Sequence, residues 1–302
     1  MTDLQAEIIA ALRDKGPLLG KELAEALPRE ENIALWQACF SSDDIQVSFF
    51  SRYYLRYDIT RDDMVRLSPS ILRDFLSFNL FSLAGQRDAL IERQVVLSNH
   101  HREVSQWKLA IARNILKQIM TLVPPAARDV VCAFVAGDVA YFLGHNEPRE
   151  VAALGEMVTG SDIDIIIVHD GLSDETVAAI DKEMLGFKNY YLRHPDYRQE
   201  VDYVCKTKAK MFSQMRYEDI HHKIASKIAY EGMFAAGSID LYTEIKDMLV
   251  SSGVQRLIEL DFEHGLENRK RAMQKLLSVD PATIDTDTES LFFFSQERVE
   301  FT

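Results

Sequence analysis

Two apolar runs in the middle of the chain demand a buried sheet. Val130-Val-Cys-Ala-Phe-Val-Ala136 is continuous, rich in β-favouring residues and closed by Gly137, and Ile163-Asp-Ile-Ile-Ile-Val168 follows the polar opening Gly160-Ser161-Asp162. Short runs without alternation belong to strands covered on both faces. Glu200-Val-Asp-Tyr-Val-Cys205 alternates instead, which predicts a third strand. Between the second and third, Ser173 followed by Asp174 and Glu175 is a capping signal with acids in the first turn, and it predicts a helix through Leu185. A short helix over 139–143 and a polar connection over 144–159 complete the reading of this region.

The flanks read as helices. Apolar residues recur at helical spacing over 4–12 and 21–27 on either side of Gly16-Pro17, and a third helix is predicted over 32–40. Asp43-Asp44 opens a helix over 45–57, Ser68-Pro69-Ser70 caps another over 71–83, and a long one over 87–122 ends at Pro124-Pro125. Helices return over 219–234, 240–250 and 254–277. The expectation is an α+β protein: a helical N-terminal region (1–125), a core with a small mixed β-sheet (126–215), and a helical C-terminal region with a tail (216–302). The short helices at the front admit two readings, a helix-turn-helix or winged-helix module, or plain helical packing. Acids lie among the arginines there and no basic stripe is present, which favours packing.

Charge narrows the function classes. Among 302 residues, 34 Lys+Arg stand against 47 Asp+Glu, a net charge of −13, so indiscriminate binding to long nucleic acid or anionic lipid is not favoured. Cys39, Cys132 and Cys205 stand far apart and form no CxxC pair, which suggests neither a disulfide framework nor a cysteine zinc site. The N-terminus has no basic start with an apolar block behind it, and no apolar run approaches the roughly 20 residues that span a bilayer. A cytoplasmic protein without a membrane segment is expected.

The chemistry concentrates at Ser161-Asp162-Ile163-Asp164. Residues two apart on a strand share a face, so Asp162 and Asp164 project together. Paired carboxylates repel each other and lose hydration when buried, a cost that a divalent cation relieves. Hard oxygen donors suit Mg²⁺, with Mn²⁺ as a substitute, and substrate phosphates complete the coordination. Asp202, mid-strand between Val201 and Tyr203, adds a third acid. Three acids on adjacent strands can hold two metal ions about 3.5–4 Å apart for an in-line phosphoryl displacement. The alternative leaves the pair at an exposed strand start and Asp202 on an edge.

These residues carry a family resemblance. Gly160-Ser-Asp-Ile-Asp-Ile-Ile-Ile-Val168 resembles the Asp-x-Asp strand of the DNA polymerase β-like nucleotidyltransferase superfamily, Ala136-Gly137-Asp138 its Gly-Ser turn, and Glu200-Val-Asp-Tyr-Val204 its third-acid strand. The resemblance covers residues 128–205. It implies two Mg²⁺ held by Asp162 and Asp164, with Asp202 on the metal that activates the attacking hydroxyl. It further implies an enzyme that moves an NMP from an NTP onto a hydroxyl acceptor and releases pyrophosphate. A small molecule, a protein side chain, an RNA end and another nucleotide are all candidate acceptors. Asp138 stands where the family has serine, and the connection from Gly137 to Asp162 is longer than usual, so Ser161 is the candidate to supply the hydroxyl. A rival reading is a non-catalytic nucleotide-sensing regulator whose front helices contact DNA or a partner.

Lys223 and Lys227 lie four apart on one helix face and are candidates, with Gly137 and Ser161, to hold the triphosphate; the plainer reading is a solvated basic face. His221-His222 and His100-His101 are adjacent and point about 100° apart on a helix, so neither makes a metal pair. Gly16-Pro-Leu-Leu-Gly20-Lys21 is too short for a phosphate-binding loop and follows no strand, and no GxSxG, HExxH or GxGxxG occurs. Leu291-Phe-Phe-Phe294 is expected to dock on its own body, the alternative being a partner-binding segment.

Overall fold

A computed structural model of the chain describes residues 2–57, 65–151 and 155–294. Its elements begin with α1 (Asp3–Lys15), β1 (Leu18–Leu19), α2 (Gly20–Ala26), α3 (Asn32–Phe40), β2 (Ile45–Phe49), β3 (Tyr54–Tyr57) and β4 (Val65–Ser68). Next come α4 (Ile71–Arg73) with a π turn over Asp74–Phe78, β5 (Asn79–Leu83), α5 (Arg87–Leu122), β6 (Val131–Ala136), α6 (Gly137–Tyr141), β7 (Pro148–Val151) and β8 (Glu156–Thr159). The order closes with β9 (Ile163–His169), α7 (Asp174–Arg193), β10 (Val201–Thr207), α8 (Lys208–Gln214), α9 (Ile220–Glu231), β11 (Met233–Gly237), α10 (Ile239–Ser251), α11 (Val254–Ser278) and α12 (Thr286–Glu289). The protein is therefore a mixed α and β chain with small sheets.

Packing divides the chain differently from composition. One compact unit takes residues 2–57, 65–100 and 262–294, and the other takes the stretch from 101 to 261. Composition marks where the local pattern changes, whereas packing depends on which apolar faces meet. The C-terminal residues return to the N-terminal unit for that reason: Leu276 and Phe292 share a core with Ile8, Leu12, Trp36 and Phe81.

The unit spanning 101–261 is built on a sheet of order β10-β9-β6-β11. β9 and β10 run parallel, joined by the crossover helix α7, while β6 is antiparallel to β9 and β11 antiparallel to β6. Val131, Val135, Ile163, Ile165 and Ile167 pack against Ile111, Ile115 and Ile119 of α5 and Ile180 and Met184 of α7. On the opposite face Phe134 meets Tyr242 of α10, and coverage from both sides explains the unbroken apolar runs of β6 and β9. Three expectations change here. The helix predicted over 219–234 ends at Glu231, and the chain continues as edge strand β11, which exists through its pairing with β6. Within the connection over 144–159, β7 and β8 pair antiparallel, residues 152–154 lying outside the described ones. α7 runs on to Arg193 instead of ending at Leu185.

In the other unit, the helix expected over 45–57 is corrected to strands β2 and β3, whereas the one expected over 71–83 is helical from 71 to 78 and gives way to β5 over 79–83. β2 and β1 both pair antiparallel with β5, and β3 pairs with β4. β-Branched and aromatic side chains fit a pleated, half-buried surface, and that preference outweighs the helical periodicity of these segments. Ser70 caps only the short α4, accepting from the Arg73 N–H at 3.0 Å. Helix α3 carries no lysine or arginine. Its Gln37 Nε2 donates to the carbonyls of Leu276 (2.6 Å) and Val279 (2.9 Å), and Trp36 meets Phe292 edge-on at 5.7 Å. The segment 291–294 docks on its own unit: the Leu72 N–H donates to the Phe292 carbonyl at 2.8 Å, and Arg56 and Arg66 lie over the Phe294 ring. Among the described residues no helix is long and apolar enough to cross a membrane.

Candidate metal and phosphate site

Register places the acids. Asp164 lies opposite Asp202 across the parallel β9–β10 pair and opposite Ala136 across the antiparallel β6–β9 pair. Asp162 stands just ahead of β9. One carboxylate oxygen from each of Asp162, Asp164 and Asp202 lies within 4.8 Å of the other two, and all three residues are half-buried. The sequence expectation that these side chains converge is met by the geometry.

Burial raises the Asp164 carboxyl well above its ordinary value; Asp162, Asp202 and Glu231 push it the same way, and Lys227 opposes them. A carboxylate surrounded by carboxylates resists ionisation unless a cation shares the charge. Gly137 opens α6 where β6 ends, with φ +68°, and a Cβ there would stand 2.6 Å from Asp164 Oδ2. Glycine thus lets the carboxylate approach the turn. Asp138 follows in the first turn of the same short helix.

Helix α9 supplies a second layer. Lys227 Nζ pairs at 2.8 Å with Glu231 Oε1, and the Gly137 N–H donates to that oxygen at 3.3 Å. The Glu231 side chain is 1% exposed, and burial raises its pKa with Lys227 pulling the other way. The C-terminus of α9 is gathered by Lys246, whose Nζ donates to the carbonyls of Ala229, Tyr230 and Gly232 at 2.7–2.8 Å. Burial lowers the Lys246 pKa to about 8, partly offset by Glu231.

The proposed phosphate-holding residues separate. Gly137 and Lys227 sit beside Asp164, both engaged with Glu231. Lys223 pairs with Asp261 at 3.4 Å and lies over the Tyr217 ring. Ser161 is 3% exposed; its Oγ accepts the His145 N–H at 3.2 Å, so as placed it fastens its loop instead of facing the acids. His222 and Asp219 close the N-terminus of α9, Asp219 accepting the His222 N–H at 2.9 Å.

Three contributors escaped the sequence reading: Glu231, the buried Lys108, and Lys188 of α7, which pairs with Asp202. Lys188 lies fourteen residues from Asp202, and only the α7–β10 packing joins them. Glu231 and Lys227 carry the one local signal, an i,i+4 pair of opposite charge.

Oxygen donors of this kind, three carboxylates with their charge incompletely balanced, fit Mg²⁺ or Mn²⁺ better than softer metals. A scan against family models, a search of curated proteins and a search of solved structures each found no match to this chain.

Proposed function

We propose that the protein is a metal-dependent nucleotidyltransferase that moves an NMP from an NTP to a hydroxyl acceptor. The observation that carries this reading is the convergence of Asp162, Asp164 and Asp202, with the Asp164 carboxyl raised by burial and by its acidic neighbours. Such a trio costs folding free energy unless something else uses it. Divalent cations, when bound, would neutralise the carboxylates and the triphosphate charge.

In this reading Asp162 and Asp164 hold the cations, and Asp202 orients the acceptor hydroxyl and accepts its proton. The acceptor oxygen bonds to the α-phosphorus, the bond from that phosphorus to the bridging oxygen breaks, and pyrophosphate leaves. Lys227 and the Gly137 N–H are placed to steady the phosphates, exchanging their contact with Glu231 for the ligand. Lys223 plays a smaller part, since Asp261 engages it. The class of acceptor stays open.

The test is pyrophosphate release with each NTP and dNTP under Mg²⁺ or Mn²⁺, comparing wild type with the Asp162→Ala/Asp164→Ala double variant and resolving labelled products by chromatography. Release that disappears in the variant supports the reading. Absence of both turnover and calorimetric nucleotide binding in the wild type defeats it.

A further inference from the structure

Three consecutive carbonyls ahead of Asp162 all turn toward cationic side chains. Lys108 Nζ, from the middle of α5, donates to the carbonyls of Thr159 at 3.1 Å and Ser161 at 2.7 Å, and its third hydrogen bond goes to Gln199 Oε1. Arg149 Nε donates to the intervening Gly160 carbonyl at 2.9 Å, while its guanidinium is held by Glu200 at 2.6 Å. Gln199 repeats the pattern, its Nε2 donating to Thr159 O at 3.1 Å and Tyr197 O at 2.8 Å.

Lys108 and Gln199 are both 0% exposed. Burying an ammonium group is costly, and a leucine or methionine would fill the same volume without that cost. Burial lowers the Lys108 pKa to about 8, and Asp162 is the largest opposing influence. All three donors of the ammonium are satisfied, and two of them close on the peptide units that launch Asp162. The backbone is also fitted from the other side: Gly160 has φ +73° and runs so close to the His145 carbonyl that a Cβ would collide with it. The Ser161 N–H donates to that same carbonyl at 3.3 Å.

We propose that Lys108 is a positioning residue for the metal-binding carboxylates: by gathering the carbonyls of Thr159 and Ser161 it fixes the direction in which Asp162 leaves the loop, and with it the spacing of Asp162 from Asp164 and Asp202. The proposal rests on the metal-dependent reading above. It assigns Lys108 no contact with substrate, so its removal acts on cation affinity ahead of nucleotide recognition.

The experiment measures Mn²⁺ binding to the full chain by the electron paramagnetic resonance signal of the free ion, alongside melting temperature, KM for the nucleotide and kcat. Wild type, Asp162→Ala, Lys108→Met and Gln199→Met are compared. Lys108→Met is expected to weaken Mn²⁺ about 10–100-fold, the range for groups that orient metal ligands, with KM for the nucleotide little changed at saturating Mn²⁺. Gln199→Met, which leaves the ammonium in place, is expected to move Mn²⁺ affinity the same way by a smaller factor. A folded Lys108→Met protein with a lower melting temperature and wild-type Mn²⁺ affinity overturns the proposal. If Lys108→Met does not fold, Gln199→Met decides, and unchanged affinity there overturns it. A wild type that binds no Mn²⁺ defeats the metal reading itself, and the positioning role falls with it; binding lost in Asp162→Ala but kept in Lys108→Met removes only the latter.

Discussion

Asp74 and Asp164 are carboxylates drawn into different units and furnished in opposite ways. Asp74, 2% exposed, accepts from Ser51 Oγ at 2.8 Å, Tyr53 OH at 2.7 Å and Arg269 Nη2 at 2.7 Å. Arg269 also covers the Tyr53 ring and donates to the Pro69 carbonyl. Asp164 faces Asp162, Asp202 and Glu231, with Lys227 as the cation acting on it. The first is an ionic joint whose carboxylate is fully engaged and which ties α11 to the turn after α4; the second carries charge that its neighbours aggravate. Burial alone therefore does not mark a site. The sign of what surrounds the buried charge does.

The largest effect should come from breaking the ionic joint. Asp74→Ala leaves Arg269 without its anion, and the expected loss is about 3–5 kcal/mol in urea unfolding, with pyrophosphate release per folded molecule unchanged. A loss below about 1 kcal/mol would place Asp74 among ordinary surface pairs. Phe292→Ala tests whether the returning segment completes the same unit. Truncating a buried phenylalanine costs about 3–5 kcal/mol. An unchanged melting temperature would mean that the segment is ornamental.

Asp164→Asn should behave in the opposite sense. Turnover is expected to fall by more than the roughly 10–100-fold that outer groups of a metal site cost. The metal-free melting temperature should hold or rise, because the amide removes repulsion; a drop like that of Asp74→Ala would erase the contrast between the two carboxylates. The smallest effect is in pH. Asp164 has a folded-state pKa above its unfolded value, so within the window between the two the metal-free native protein binds more protons than the unfolded chain. Stability then declines as pH rises through that window, by at most about 1.4 kcal/mol per pH unit from this group. Differential scanning of wild type against Asp164→Asn reads that slope directly, and saturating Mg²⁺ should flatten it in the wild type alone.

The sequence was most informative where one kind of burial dominated. β6 and β9 announce themselves because α5 and α7 cover one face of the sheet and α10 meets Phe134 on the other, and Asp162, Asp164 and Asp202 stand out as acids at the edge of such runs. β2 and β5 were harder, since Ile45-Gln-Val-Ser-Phe49 and Asn79-Leu-Phe-Ser-Leu83 also satisfy a helical apolar count, and only their mutual pairing decides. β11, Met233-Phe-Ala-Ala-Gly237, is short and contains small residues, so nothing local distinguishes it from the end of α9. Lys108 illustrates the same limit within the site. In Gln106-Trp-Lys-Leu-Ala110 a lysine looks like part of a solvated helix face, and its acceptors lie 51 to 91 residues away. A glycine closing a strand predicts a turn, and Gly137 makes one at the end of β6; sequence does not reveal which way a loop hydroxyl such as that of Ser161 turns.

The route of the chain through its two units has a consequence for synthesis. Gly137, Asp162, Asp164, Asp202, Lys227 and Glu231 all lie within residues 101–261, so a ribosome delivers them in one continuous stretch. The unit begun earlier still lacks Leu276 and Phe292 at that moment, and its Trp36 and Phe81 have no complete surface to close upon. At about 5–20 residues per second, roughly 10–40 s separate the emergence of residue 100 from that of Phe292. During that interval the nascent chain exposes apolar side chains for holding factors to cover, and the unit entered earlier is completed after the one that follows it.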